Sequence, residues 1–128
     1  MEKKAKQDIE TVLITYKEAL NASDAEKAAS LYTKDGIFMP LGAPSAIGSE
    51  KIKGAYEFVF SNIQLNIEFY IEEIAVENKF AFAVTSSKGS TLIHATKETI
   101  AEENRELFIF ENDKGVWKIA RYMFNKTK

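Results

Sequence analysis

Residues 63–72, IQLNIEFYIE, decide the fold. Leu65, Ile67, Phe69 and Ile71 alternate with Asn66, Glu68, Tyr70 and Glu72. A hydrophobic period of two is that of a strand with one buried face. Downstream, Glu77-Asn78-Lys79 makes a turn, and Phe80, Phe82 and Val84 alternate with Ala81 and Ala83 in the next strand. The polar residues 86–90 continue that strand, and the chain turns back around 94–97. In residues 99–111, Leu107 and Ile109 alternate with Glu106, Phe108 and Phe110. Asn112-Asp113-Lys114-Gly115 is a hairpin signal, and residues 116–125 form the last strand. Four strands joined by hairpins without crossover helices imply an antiparallel meander.

Upstream of residue 63 the period is that of helices. Ile9, Val12, Leu13, Tyr16 and Leu20 recur at intervals of three and four, which predicts a helix over 5–21. Ser23 with Glu26 forms a capping box for a second helix over 24–33, which Asp35-Gly36 ends in a turn. A short strand, Ile37-Phe38-Met39, stops at Pro40, and residues 41–48 read as a loop. Ser49 caps a third helix over 50–62, with Ile52, Tyr56, Val59, Phe60 and Ile63 inward. The predicted class is α+β: three N-terminal helices packed on a curved four-strand antiparallel meander, plus one short strand. A sheet curved around a long helix leaves a conical cavity between the two.

At 128 residues the chain is expected to form one domain. Seventeen basic against nineteen acidic side chains leave a net charge of −2, so no nucleic acid or anionic membrane surface is expected as partner. No cysteine and a single histidine, His94, exclude thiol chemistry and a His-rich metal site, so no metal or cofactor is expected. No run of about 18 apolar residues exists, and the start, MEKKAKQDIE, has no apolar core of a signal peptide. The expected address is cytoplasmic, with an exported compartment left open.

The segment YKEALNASDAEKAASLYTKDGIFMPLGAPSAIG (16–48), followed by IKGAYEFVF (52–60), resembles the opening of the nuclear transport factor 2-like superfamily. It is most similar to the branch of ketosteroid isomerase-like and SnoaL-like polyketide cyclase-like proteins. The ending NRELFIFENDKGVWKIARYMFN (104–125) resembles the closing hairpin of that branch. The resemblance implies a single SnoaL-like domain over 1–128 with a cystatin-like conical barrel, a pocket at its open end and a homodimer through the convex sheet. It also implies site positions. The isomerase's first-helix tyrosine falls on Tyr16, its protonated aspartate on Glu106, and its catalytic base on Met39, before Pro40. A thioether cannot shuttle a proton, so ketosteroid isomerase activity is not expected.

Tyr16 is either a core tyrosine or a pocket hydroxyl. Glu106 shares parity with Phe108 and Phe110, so it either faces an aromatic pocket or sits at a solvated rim. Arg121 and Asn125 share parity with Trp117, Ile119 and Met123. They either reach the pocket, or Arg121 pairs with an acid such as Glu106 or Glu73. Phe38, Met39, Tyr56, Phe60, Phe69, Phe82, Phe108 and Met123 are candidates for apolar lining or for core. His94 reads as a loop histidine, and Glu98, Glu102 and Glu103 read as a solvated strand edge. Leu107, Ile109, Tyr122 and Phe124 are expected on the convex dimer face.

Three functions follow as expectations. The first is a homodimeric pocket protein for a small, largely apolar molecule. The second is an isomerase, cyclase or dehydratase using Tyr16 and Glu106. The third is a dimerisation module with a filled cavity.

Overall fold

A computed structural model describes residues 2–128. Helix α1 (Glu2–Asn21) buries Ile9, Leu13, Tyr16, Ala19 and Leu20, the stripe that its sequence spacing requires. Helix α2 (Ala25–Ser30) is shorter than expected and is capped by Asp24, whose carboxylate accepts from the Lys27 N–H at 3.0 Å. Ser23 instead takes a left-handed backbone, which removes it from the cap. The end of the helix expected over 24–33 is overridden by strand pairing: β1 (Tyr32–Met39) runs parallel to the last strand. Asp35-Gly36 lies within β1, where the register shifts between Tyr32 and Ile37, and so does not end an element. The expected loop contains a two-residue strand, β2 (Ala46–Ile47), and helix α3 (Ser49–Asn62) starts from Gly48 without a side-chain cap.

The meander forms as the alternation demands, with β3 (Ile63–Glu77), β4 (Phe80–Ile93), β5 (Thr99–Asp113) and β6 (Val116–Lys126). The full sheet has six strands in the order β2-β1-β6-β5-β4-β3, more than the four and one expected, because β1 joins β6 at its edge. Its curvature has local causes. Gly89 pairs with Ile67, and any Cβ there would collide with the backbone of Asn66. Glycine therefore lets β3 and β4 approach closely at the bend.

Two register shifts matter more for function. One falls between Ile71 and Glu73 in β3, the other at Ala120 in β6, where Ile109 faces Arg121 but Phe110 faces Ile119. An extra residue in a strand reverses the facing of all that follow. Trp117 and Ile119 therefore point into the concave face, and so do Tyr122 and Phe124 beyond the bulge. Arg121, Met123 and Asn125 point outward, against the expectation drawn from unbroken parity. The expected convex residues Tyr122 and Phe124 are likewise corrected to the inside.

Phe82 is a third correction. It stands opposite Ile109 on the convex face, while Ala81 and Ala83 face inward opposite Phe110 and Phe108. The concave side of a curved sheet has little room. Small residues on β4 accommodate the fully buried rings of Phe108 and Phe110 on β5. Those rings stack at 5.8 Å, and Phe108 stacks on Tyr122 at 4.3 Å. This aromatic layer, closed by α1, is the core. Among the described residues, no helix is long and apolar enough to cross a membrane.

Candidate functional site

Between α1, α3 and the concave sheet lies a cavity of about 670 Å³. Its walls are mostly apolar: Leu20, Phe38, Val59, Leu65, Ile67, Phe69 and Phe124 contribute, with Leu41 and Phe58 toward the solvent. Tyr16 from α1 and Tyr56 from α3 add hydroxyls, and β4, β5 and β6 add a row of polar groups.

The tyrosines form a chain. Tyr16 Oη lies 2.5 Å from Tyr56 Oη, which lies 2.7 Å from Tyr32 Oη. Either hydroxyl of each pair can donate, and Tyr122 joins the network through Tyr16, so four phenols share it. Tyr16, Tyr56 and Tyr122 line the cavity while Tyr32 does not. Burial pushes all four phenols up. They act as neutral hydrogen-bond donors, and not as bases.

The polar row follows from the alternation of β5. Glu102, Asn104 and Glu106 have the same parity as Phe108 and Phe110, so all five point inward, and the three polar residues are buried. Glu106 accepts from Thr85 Oγ1 at 2.5 Å and from Ser87 Oγ at 2.6 Å. Desolvation raises its carboxyl above the ordinary glutamate range, opposed by the two hydroxyl bonds and reinforced by the nearby Glu72 charge. Glu102 accepts from Lys126 Nζ at 2.6 Å, from Thr91 Oγ1 at 2.7 Å and from Asn104 Nδ2 at 2.9 Å. Burial alone would raise it, but these bonds and the lysine charge outweigh burial and hold it below the usual range. Two carboxyls on one wall are thus driven apart, one toward the acid form and one toward the anion.

The expected site residues divide clearly. Tyr16, Phe38, Tyr56, Phe69 and Glu106 line the cavity together. Phe108 is absent from the lining: its ring is fully buried in the core, packed against Tyr16 and Tyr122. Phe60 backs Tyr56, ring centroids 5.9 Å apart, on the side toward α2. Met39 follows the inward Phe38 in β1 and is absent from the lining, because alternation turns it away. Phe82, Arg121, Met123 and Asn125 lie outside for the reasons given above. Arg121 donates to its neighbour's carbonyl, Ala120 O, at 2.7 Å, and is paired with neither Glu106 nor Glu73. His94 sits in the β4–β5 turn, its backbone N–H donating to Asn62 O.

Glu102, Asn104, Thr91 and Lys126 were missed. The sequence places Glu102 at a solvated edge, but β5 lies between β4 and β6, so it is no edge. The signal was present: the parity that aligns Glu106 with Phe108 extends unbroken to Asn104 and Glu102. Among the described residues, no group of His, Asp and Glu is arranged to hold a metal.

The SnoaL-like domain model matches residues 9–124. The chain is 29% identical to a ketosteroid isomerase-like protein from Erwinia carotovora atroseptica SCRI1043, with a TM-score of 0.89 and 94% of each chain covered. An NTF2-like superfamily protein from Salmonella enterica serovar Typhimurium LT2 is 14% identical, with a TM-score of 0.88 over 100% of this chain and 94% of that one. An NTF2-like protein with a cystatin-like fold from Novosphingobium aromaticivorans is 15% identical, with a TM-score of 0.73 over 96% and 82%. No curated protein matches.

Proposed function

The chain belongs to the SnoaL-like domain family, and on that footing we propose that it is a homodimeric pocket protein that binds a small, largely apolar molecule. The cavity carries this reading: about 670 Å³, walled by aromatic and aliphatic side chains, with a few convergent polar groups. That is the usual form of a small-molecule site. Its open volume also weakens the idea of an association module with a filled interior. Dimerisation is supported by the apolar patch on the convex face, described below.

The test has two parts. Native mass spectrometry of protein from its own cells should give a dimer carrying a retained small molecule. A titration with the uncharged fluorophore N-phenyl-1-naphthylamine should give saturable emission. An empty protein that also fails to bind the fluorophore would refute the pocket reading.

A second reading, acid–base catalysis, is favoured by one observation. Tyr16 and Glu106 both line the cavity, and burial pushes both toward their protonated, donating forms. Two donors suit a developing oxyanion. A base is still needed to take a carbon-bound proton, and Met39 supplies none, by chemistry and by direction. The expected outcome is no measurable isomerisation of a β,γ-unsaturated ketosteroid by the native protein. Because Met39 points away, Met39→Asp is expected to stay inactive as well. Turnover by either would restore the isomerase reading.

A further inference from the structure

The cavity has two chemically different ends. Its wall follows β5 from Glu106 out to Ile100, a run of about 20 Å, so the space is elongated. At the inner end the polar groups bond to one another. Four phenols share one network, and Glu106 is held by Thr85 and Ser87. None of Tyr16, Tyr56, Tyr122, Ser87 and Glu106 is more than 4% exposed, so a ligand meets mainly ring and chain carbon there. A polar head pushed inward would lose its water and disturb bonds already made. The outer end differs. Lys126 stands opposite Asn104, lines the cavity and reaches Glu102 Oε2 at 2.6 Å. Its side chain is 45% exposed, against 9% for that of Glu102. Among the described residues the Glu102 contact is the one side-chain bond of this ammonium, and it uses one of three N–H donors. Leu41, Phe58 and Ile100, which also line the cavity and are exposed, are apolar.

We infer that the cavity binds an elongated molecule tail first, its hydrocarbon end against Phe69 and Tyr122 and an uncharged, hydrogen-bond-accepting head held at the mouth by the Lys126 ammonium. This inference rests on the pocket reading above and adds the ligand's head chemistry and its orientation. An acceptor uses the N–H donors that Glu102 leaves on Lys126. The head carries no charge because the Glu102 carboxylate already balances that ammonium. An anion would meet Glu102, and a cation would meet Lys126. The orientation also separates this inference from the catalytic reading, which needs the ligand's oxygen at Tyr16 and Glu106.

Two measurements test this. In isotope-filtered NMR of the native protein with methyl octanoate, nuclear Overhauser contacts are expected from the ester methyl to the Lys126 side chain. The terminal methyl of the chain should instead contact the rings of Phe69 and Tyr122. In displacement of N-phenyl-1-naphthylamine at pH 7, Lys126→Met should weaken methyl octanoate about three- to tenfold, the worth of one hydrogen bond, and leave octane within about twofold. Octanoate should bind the native protein more weakly than its methyl ester. The contacts in the native protein report even where Lys126→Met folds poorly. Ester-methyl contacts to Tyr16 or Phe69 overturn the inference, as does a loss in Lys126→Met no larger for the ester than for octane, or tighter binding of octanoate. Failure of the fluorophore to bind would sink the pocket reading itself, whereas binding with the head inward sinks this inference alone.

Discussion

The two faces of one sheet reverse the usual distribution of side chains. On the concave face, Glu102, Asn104, Glu106, Thr85, Ser87 and Thr91 are buried. On the convex face, Phe80 is 45% exposed, Phe82 38%, Leu107 42% and Met123 45%. Ordinary folding puts carboxyls outside and phenylalanines inside, so a departure in either direction carries information. Inside, buried polar groups cost stability and are retained where a ligand or reaction uses them. Outside, neighbouring apolar side chains on β4, β5 and β6 form a patch that suits a second copy of the chain. Adjacent residues such as Leu107 and Phe108 thus serve different tasks.

Truncation of those neighbours gives the largest contrast. Phe108→Ala empties the centre of the aromatic layer and is expected to cost about 3–5 kcal/mol in urea unfolding. Leu107→Ala, measured under monomeric conditions, should cost less than about 1 kcal/mol. Equal losses would mean that the two faces are not energetically distinct.

Assembly sharpens the contrast from the other side. Sedimentation equilibrium of the native protein should give a dimer, and Phe82→Glu combined with Leu107→Glu should give a folded monomer. A native monomer at micromolar concentration, or a variant that stays dimeric, would remove the convex face from the account.

Smaller effects are expected within the cavity wall. Tyr56→Phe removes the hydroxyl that bridges Tyr16 and Tyr32, and should cost about 1–2 kcal/mol, the net value of two hydrogen bonds. Unchanged stability would mean that the bridge is replaced by water.

The two carboxyls should give the smallest and most diagnostic effect, opposite pH dependences. The folded protein holds the Glu106 proton more tightly than the unfolded chain, whose ordinary value is 4.5. Its contribution is therefore complete below 4.5 and declines as pH rises through the raised value. Glu102 is the reverse: its contribution is present above 4.5 and is lost as pH falls through the lowered value. Glu106→Gln should flatten the decline above 4.5, and Glu102→Gln the loss below it, in urea midpoints measured against pH. Slopes that respond the other way would exchange the roles of the two groups.

Much of this was legible in the sequence, and the failures share a cause. Alternation gave the four long strands, and helical spacing gave α1 and α3, because both patterns report local geometry on one buried face. Parity carried Glu106 correctly inward because β5 runs without a register shift past it. The same reasoning misplaced Arg121, Met123 and Asn125, because the bulge at Ala120 is set by pairing with β5 and leaves no mark in residue type. Phe82 misled for a related reason. Size suggested burial, whereas curvature gave the inner places to Ala81 and Ala83. The second helix was expected to run to residue 33, but a parallel strand pairing and the Tyr56 hydroxyl claimed Tyr32. The cavity was implied by a sheet curved around a long helix and by the resemblance, but its size was not, since empty space has no sequence.

The central claim, that the concave face is a ligand site and the convex face is not, is tested most directly by NMR titration with n-propylbenzene. The account predicts saturable shifts at Leu20, Leu65, Phe69 and Phe124 and none at Phe82, Leu107 or Met123. Absence of saturable shifts on the concave face, or shifts centred on the convex patch, would contradict it.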